Sequence, residues 1–154
     1  MTRKNFKNSV RSIFIQALTF YSLVFCLESQ AAIGGGYQII AHPSVGTAGL
    51  SLEEVKQIML TNQTTWKDGK KVAIVALSPD SSEADGIAGD FMGMTGTQAK
   101  KFWLTKVFNG VLPSLPATVD TPEELVEKVA STPGAIAILP KGVPVGRAKV
   151  LTIR

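Results

Sequence analysis

Few side chains in this sequence could carry chemistry. The 154 residues contain one histidine, His42, and one cysteine, Cys26. Zinc needs three or four nitrogen or sulfur ligands at suitable spacing, and these counts cannot supply them. A serine nucleophile would have to recruit His42 as its base, and no Gly-x-Ser-x-Gly turn exists to present it. Asp80, Glu83, Asp85 and Asp90 offer hard oxygens of the kind calcium takes, but without the spacing of a calcium loop, and they read as one acidic helix face. The residues therefore predict a protein that is not an enzyme and holds neither metal nor cofactor. Ser81 and Ser82 follow a strand-like run and suit the start of a helix, where serine is preferred as a cap. Trp66, in a turn, and Trp103, among apolar helical residues, read as core. Lys100, Lys101 and Lys106 read as a solvated face. Asn62-Gln63-Thr64 matches a glycosylation sequon, a pattern common by chance.

The elements that must position these residues alternate along the chain. Tyr37 to Ala41 is a short buried strand ended by His42-Pro43. Ser51-Leu52-Glu53-Glu54 has the form of a capping box, and Leu52, Val55, Ile58 and Met59 then share one helical face. Trp66-Lys67-Asp68-Gly69 is a turn, and Lys71 to Leu77 a strand buried on both sides. Pro79 to Ser82 turns into a helix. A second helix runs from Thr95 or Thr97 to Phe108, with Phe102, Trp103, Val107 and Phe108 as its apolar content. Thr121-Pro122-Glu123-Glu124 opens another, with a capping box and proline at the first helical position, and Pro133-Gly134 stops it. Ala135 to Leu139 and Lys149 to Ile153 finish as strands. Strands alternating with helices predict an α/β layer fold.

The first thirty residues differ in kind. Arg3, Lys4, Lys7 and Arg11 precede an apolar run, Ile13 to Leu27, and Ser29-Gln30-Ala31 places small side chains one and three positions before a cut at Ala31/Ala32. That layout predicts a secretory signal over residues 1–31, export to a periplasm, and no membrane insertion after cleavage. Phe25, directly before Cys26, is too large for a lipoprotein cut. Of 16 cations and 12 acids in the chain, four cations and Glu28 lie in this segment, leaving 12 against 11 for residues 32–154. The basic balance thus belongs to the leader and gives no argument for a nucleic-acid surface, which needs a clustered basic face, so no nucleic-acid partner is expected. The full chain is 45% hydrophobic and 18% charged, enough apolar material for a core, and residues 32–154 suit a single domain.

Three stretches, taken in order, resemble one family: LSLEEVKQIMLTNQTTWKDGKKVAIVAL (Leu50 to Leu77), GMTGTQAKKFWLTKVFNG (Gly93 to Gly110) and VASTPGAIAILP (Val129 to Pro140). They are similar to the phosphate-binding-protein-like substrate-binding domains of ABC importers, in particular short members that keep one lobe. The resemblance implies a single lobe of a type II periplasmic-binding-protein-like fold, a mixed sheet flanked by helices. It implies an anion site at the helix start after the Lys71 to Leu77 strand, where free amides and the helix dipole meet a phosphate-like oxyanion. On that likeness the ligand-binding residues are Ser81 and Ser82, with His42 and Ser44 from the segment that faces the cleft. Leu77 stands where phosphate receptors carry arginine, Ser82 where they carry glycine and Glu83 where they carry threonine. Two functions follow as expectations: weak binding of a small oxyanion for an ABC-type uptake system, or an interaction module docking on an envelope protein such as a porin, channel or transporter.

Overall fold

A computed structural model describes residues 36–154, and the expected signal segment, its cut and Cys26 lie outside the described residues. Six strands and four helices follow in the order β1 (Tyr37–Ala41), β2 (Gly49–Leu50), α1 (Leu52–Met59), β3 (Ala73–Leu77), α2 (Ser82–Met92), α3 (Gly96–Phe108), β4 (Ala117–Val119), α4 (Pro122–Ser131), β5 (Ala135–Pro140) and β6 (Lys149–Ile153). The strands form one sheet in the order β2-β6-β1-β5-β3-β4. β1 is antiparallel to both its neighbours, β5 and β6, whereas β3 is parallel to β5 and β4, and β2 to β6.

Strand alternation divides the apolar residues between two cores. On β1, Ile39 and Ala41 face the first and Ile40 the second; on β5, Ile136 and Ile138 face the first and Ala135, Ala137 and Leu139 the second. The first core is closed by Val55, Ile58 and Met59 of α1, Ala88 and Phe91 of α2, and Ala99 and Trp103 of α3. The second is closed by Leu125, Val126 and Val129 of α4. Both tryptophans are buried, and each finds the polar partner that a buried indole needs: Trp66 Nε1 donates to the Gly134 carbonyl (2.9 Å) and Trp103 Nε1 to the Met59 carbonyl (2.9 Å).

The helix starts follow the sequence. Ser51 Oγ accepts from the Glu54 amide (3.1 Å), and Glu54 Oε2 accepts from the Ser51 amide (2.8 Å). That backbone hydrogen bond, helped by the Lys67 ammonium 3.2 Å from Glu54 Oε1, holds the Glu54 carboxyl below its usual range. The group therefore helps α1 at neutral pH and loses that effect as acid protonates it. At α4, Thr121 caps the Glu124 amide as expected, but Glu124 Oε2 accepts from Asp120 rather than Thr121, so the box is not closed.

Two sequence expectations need correction. Lys71 makes only an isolated bridge to Thr65, and β3 begins at Ala73. Phe108 is 81% exposed, since it is five residues from Trp103, roughly 140° around the helix, and shares the outer side of α3 with Leu104. The short β2 and β4 went unforeseen, as two and three residues are too few to show a period.

α1 ends in a Schellman motif. Thr61 donates to the Ile58 carbonyl (2.9 Å) and Asn62 to the Gln57 carbonyl (2.9 Å), which puts Thr61 at the left-handed position with φ of 59°. A β-branched residue is strained there, and the Thr61 hydroxyl is buried without a hydrogen-bond partner. Each defect costs about 1–3 kcal/mol. Glycine removes both, against about 1 kcal/mol of added unfolded-chain entropy and the loss of one buried methyl, worth about 0.8 kcal/mol. Thr61→Gly is expected to raise stability by about 1 kcal/mol in denaturant unfolding; an unchanged or lower midpoint would contradict this account of the turn.

Candidate functional site

The chain leaves β3 at Leu77 and turns into α2. The Ser78 amide donates to the Val119 carbonyl of β4 (2.7 Å), and the Ser81 amide donates back to the Ser78 carbonyl (3.0 Å), so the turn is fixed to the sheet. Ser81 is the N-cap: its Oγ accepts from the Ala84 amide (3.1 Å). That leaves its hydroxyl hydrogen free to donate. The Ser82 and Glu83 amides have no hydrogen-bond partner among the described residues. An eleven-residue helix thus presents two free N–H groups, one hydroxyl and its positive dipole end at the C-terminal edge of the sheet. These groups can bind an anion.

Carboxylates contest the same place. Ser82 Oγ donates to Glu83 Oε2 (3.1 Å), so this hydroxyl is engaged, and Asp80 stands exposed one residue before the cap. Asp85 acts differently. Its Oδ1 accepts from the Gly96 amide at 2.7 Å, so the first residue of α3 is countered by a carboxylate of α2. The approach is tight: a Cβ on Gly96 would lie 3.1 Å from the Pro79 carbonyl oxygen and 3.2 Å from Asp85 Oδ1.

His42 and Ser44 lie elsewhere, and this corrects the expectation that they join Ser81 and Ser82. The His42 amide donates to the Ala135 carbonyl (3.0 Å), and Ala135 pairs in register with Ala73, the first residue of β3. Ser78 follows five residues later, about 16 Å along the strand at 3.3 Å per residue. The cause is strand direction: β1 runs antiparallel to β5 and β5 parallel to β3, so β1 ends where β3 begins. At that opposite edge Ser44 closes a local turn. Its amide donates to His42 Nδ1 (3.0 Å), its hydroxyl lies 2.8 Å from the same nitrogen, and Lys70 Nζ donates to its carbonyl (2.8 Å). Lys70 also pairs with Asp68 (2.9 Å), which holds the Asp68 carboxyl below its usual range.

Sequence reasoning missed Lys141. It follows directly after β5, its amide donates to the Gly36 carbonyl (2.8 Å), and continuing the β3–β5 register places it level with Pro79 at the same edge as Ser81. The only sequence signal was its place after a strand parallel to β3. Leu77 is 5% exposed and packed in the α4 core, so nothing cationic extends from that position.

A cavity of about 80 Å³ lies under the edge of the sheet, lined by β3, β4, α2 and α3; its walls are apolar except for Lys100 and Thr118. It is no place for an oxyanion, which needs convergent donors. Among the described residues no group of three or more His, Cys, Asp or Glu side chains could hold a metal ion, and no helix is long and apolar enough to cross a membrane.

Comparison with solved structures places the architecture. An ABC-type phosphate transport receptor from Vibrio cholerae matches 77% of this chain at 15% identity with a TM-score of 0.51, and PstS from Borrelia burgdorferi matches 77% at 14% identity with a TM-score of 0.54. A phosphate-bound substrate-binding protein from Clostridium perfringens matches 77% at 17% identity with a TM-score of 0.54. The chain spans 46%, 47% and 44% of those three proteins. No protein-family model and no curated protein matches the sequence. At these identities the likeness is one of fold: a phosphate-binding-protein-like α/β lobe, with a mixed six-stranded sheet flanked by helices.

Asp85 gives this geometry a check independent of any ligand. Asp85→Ala leaves the Gly96 amide without its charged acceptor and is expected to cost about 1–2 kcal/mol in denaturant unfolding. Asp90→Ala, on the exposed end of α2, should cost less than about 0.5 kcal/mol. Equal effects from both would show that the Asp85 to Gly96 bond does not hold α3 to α2.

Proposed function

We propose that the protein is an exported, single-lobe receptor domain that takes a phosphate-like oxyanion at the start of α2 for an ABC-type uptake system. One observation carries the reading: the free Ser82 and Glu83 amides and the Ser81 hydroxyl converge at the C-terminal edge of a sheet shared with phosphate receptors. In open α/β sheets, ligands bind at that edge, and a helix N-terminus favours negative charge there. Lys141 supplies a cation at the same edge in place of the arginine that Leu77 does not provide. His42 and Ser44 take no part. One open lobe covers only one side of its ligand, so affinity is low until a second surface closes on it.

A second reading has its own support. The buried Leu77 and the Ser82 hydroxyl held by Glu83 both remove anion contacts. They favour an interaction module that docks on an envelope protein such as a porin, channel or transporter.

Calorimetric titration with phosphate, sulfate and acetate separates the two. Oxyanion binding predicts heat from phosphate or sulfate and none from acetate. It also predicts that Asp80→Asn with Glu83→Gln tightens binding about two- to fivefold per charge at low salt, following the strength of a charge beside a helix end. Ser81→Ala with Ser82→Ala should weaken it, measured on protein shown to be folded, because loss of the cap alone costs about 0.5–2 kcal/mol of stability. An amide variant that binds no better, together with an alanine variant that binds no worse, removes the site and leaves the docking reading. Export is checked separately: the intact mass of secreted protein should correspond to a chain beginning at Ala32, and a mass retaining Cys26 with attached lipid would overturn that part.

A further inference from the structure

We propose that the exposed side of α3 and the loop after it rest on an anionic phospholipid bilayer as a peripheral docking face. This inference is independent of the oxyanion reading. Of the six large apolar side chains exposed among the described residues, four fall within residues 104–115: Leu104, Phe108, Val111 and Leu115. Leu104 and Phe108 are four apart on α3, so they form one ridge, which Lys100 extends by another turn. Phe108 is the most exposed of the six, at 81%. A soluble surface tolerates single apolar residues, but four of the six within one twelve-residue stretch mark it as a candidate interaction surface.

Charge identifies the occupant. Between Asp90 and Asp120 there are 29 residues without a single acid, and all three charges in that span are lysines: Lys100, Lys101 and Lys106. None of the three forms an ion pair among the described residues; Lys106 Nζ instead sits 5.0 Å from the centre of the Phe102 ring. A second copy of the chain would set lysines against lysines across a twofold contact, which disfavours self-association. An acidic protein would match the lysines, but it has no need of an apolar ridge as exposed as Phe108 beside them. Apolar side chains that enter the headgroup boundary, flanked by flexible ammonium groups that reach phosphates, are what an anionic bilayer accepts.

The placement is consistent with a working domain. α3 starts against Pro79 and Asp85 at the C-terminal edge of the sheet and runs about 20 Å to Phe108. Leu115 lies two residues before Ala117, which pairs with Val75, so it sits toward the beginning of β3. Phe108, the most exposed apolar residue of the face, therefore lies at the opposite end of α3 from the start of α2 at Ser81.

The full chain carries a basic and apolar leader of its own, so the readout has to be local to α3. Phe108→Trp places a new indole on the face, while Trp66 and Trp103 are buried and shielded from lipid. With vesicles of phosphatidylglycerol and phosphatidylcholine, emission from position 108 should shift to the blue and be quenched by brominated lipid, and pure phosphatidylcholine should produce neither effect. Adding Lys100→Glu and Lys101→Glu should weaken the partition at least about tenfold, since each lysine near an anionic surface is worth roughly fivefold. Circular dichroism confirms folding, and Val111→Trp serves if the first variant fails that check. Unquenched emission, equal quenching in neutral vesicles, no effect of the lysine changes, or self-association that blue-shifts position 108 without lipid would each overturn the proposal.

Discussion

The Gly134 carbonyl is where this domain is tied together. It accepts the Ala73 amide at 3.1 Å, which sets β3 beside β5, and the Trp66 indole at 2.9 Å, which fastens the turn before β3 to the same point. The residue is held at φ of +76°, and a Cβ there would collide with the Lys71 carbonyl oxygen. Glycine is required on both counts. The consequences run through both cores: β3 is the strand whose alternate residues, Ile74 and Val75, enter opposite hydrophobic layers, and its register with β5 decides where the turn into α2 emerges.

From that register follows the separation of His42 from Ser81. The sequence shows a strand ended by His-Pro and a strand followed by Pro-Asp-Ser-Ser, and both look like edges at which a ligand could sit. Which edge each one occupies depends on direction, and direction is set by pairings between residues about a hundred positions apart. Ala41 opposite Ile136 is one of them. No local pattern encodes that. Helix starts, by contrast, are local chemistry, and the capping residues Ser51, Ser81 and Thr121 were legible because serine or threonine three residues before an unpaired amide has a recognisable form, while the sequence leaves the α3 start between Thr95, which is the cap, and Thr97.

The legible part of the core has the same boundary. Val55, Ile58 and Met59 share a helical period, and the burial of Trp103 follows from its apolar helical neighbours, whereas Trp66 is buried from within a polar turn by its bond to Gly134. Phe108 departs from the expectation because it shares the outer side of α3 with Leu104 rather than the inner side with Ala99 and Trp103. The site was half legible. Ser81 and Ser82 stand where a cap must stand, but the engagement of the Ser82 hydroxyl by Glu83, and the place of Lys141 at the same edge, depend on three-dimensional packing.

The three carboxylates around the start of α2 are not equivalent, and this bears on what the site can do. Asp85 is structural: it answers the amide of α3 and would leave a helix end unpaired if it were lost. Glu83 is tethered only by a serine hydroxyl on the exposed side, a bond that an incoming oxyanion can replace with its own acceptor oxygens. Asp80 contributes charge without a hydrogen bond among the described residues. The helix start thus has one fixed countercharge at its neighbour and one exchangeable countercharge at itself. On the proposed oxyanion reading, the ligand would have to displace the exchangeable carboxylate, which lowers affinity without destroying the donors beneath it.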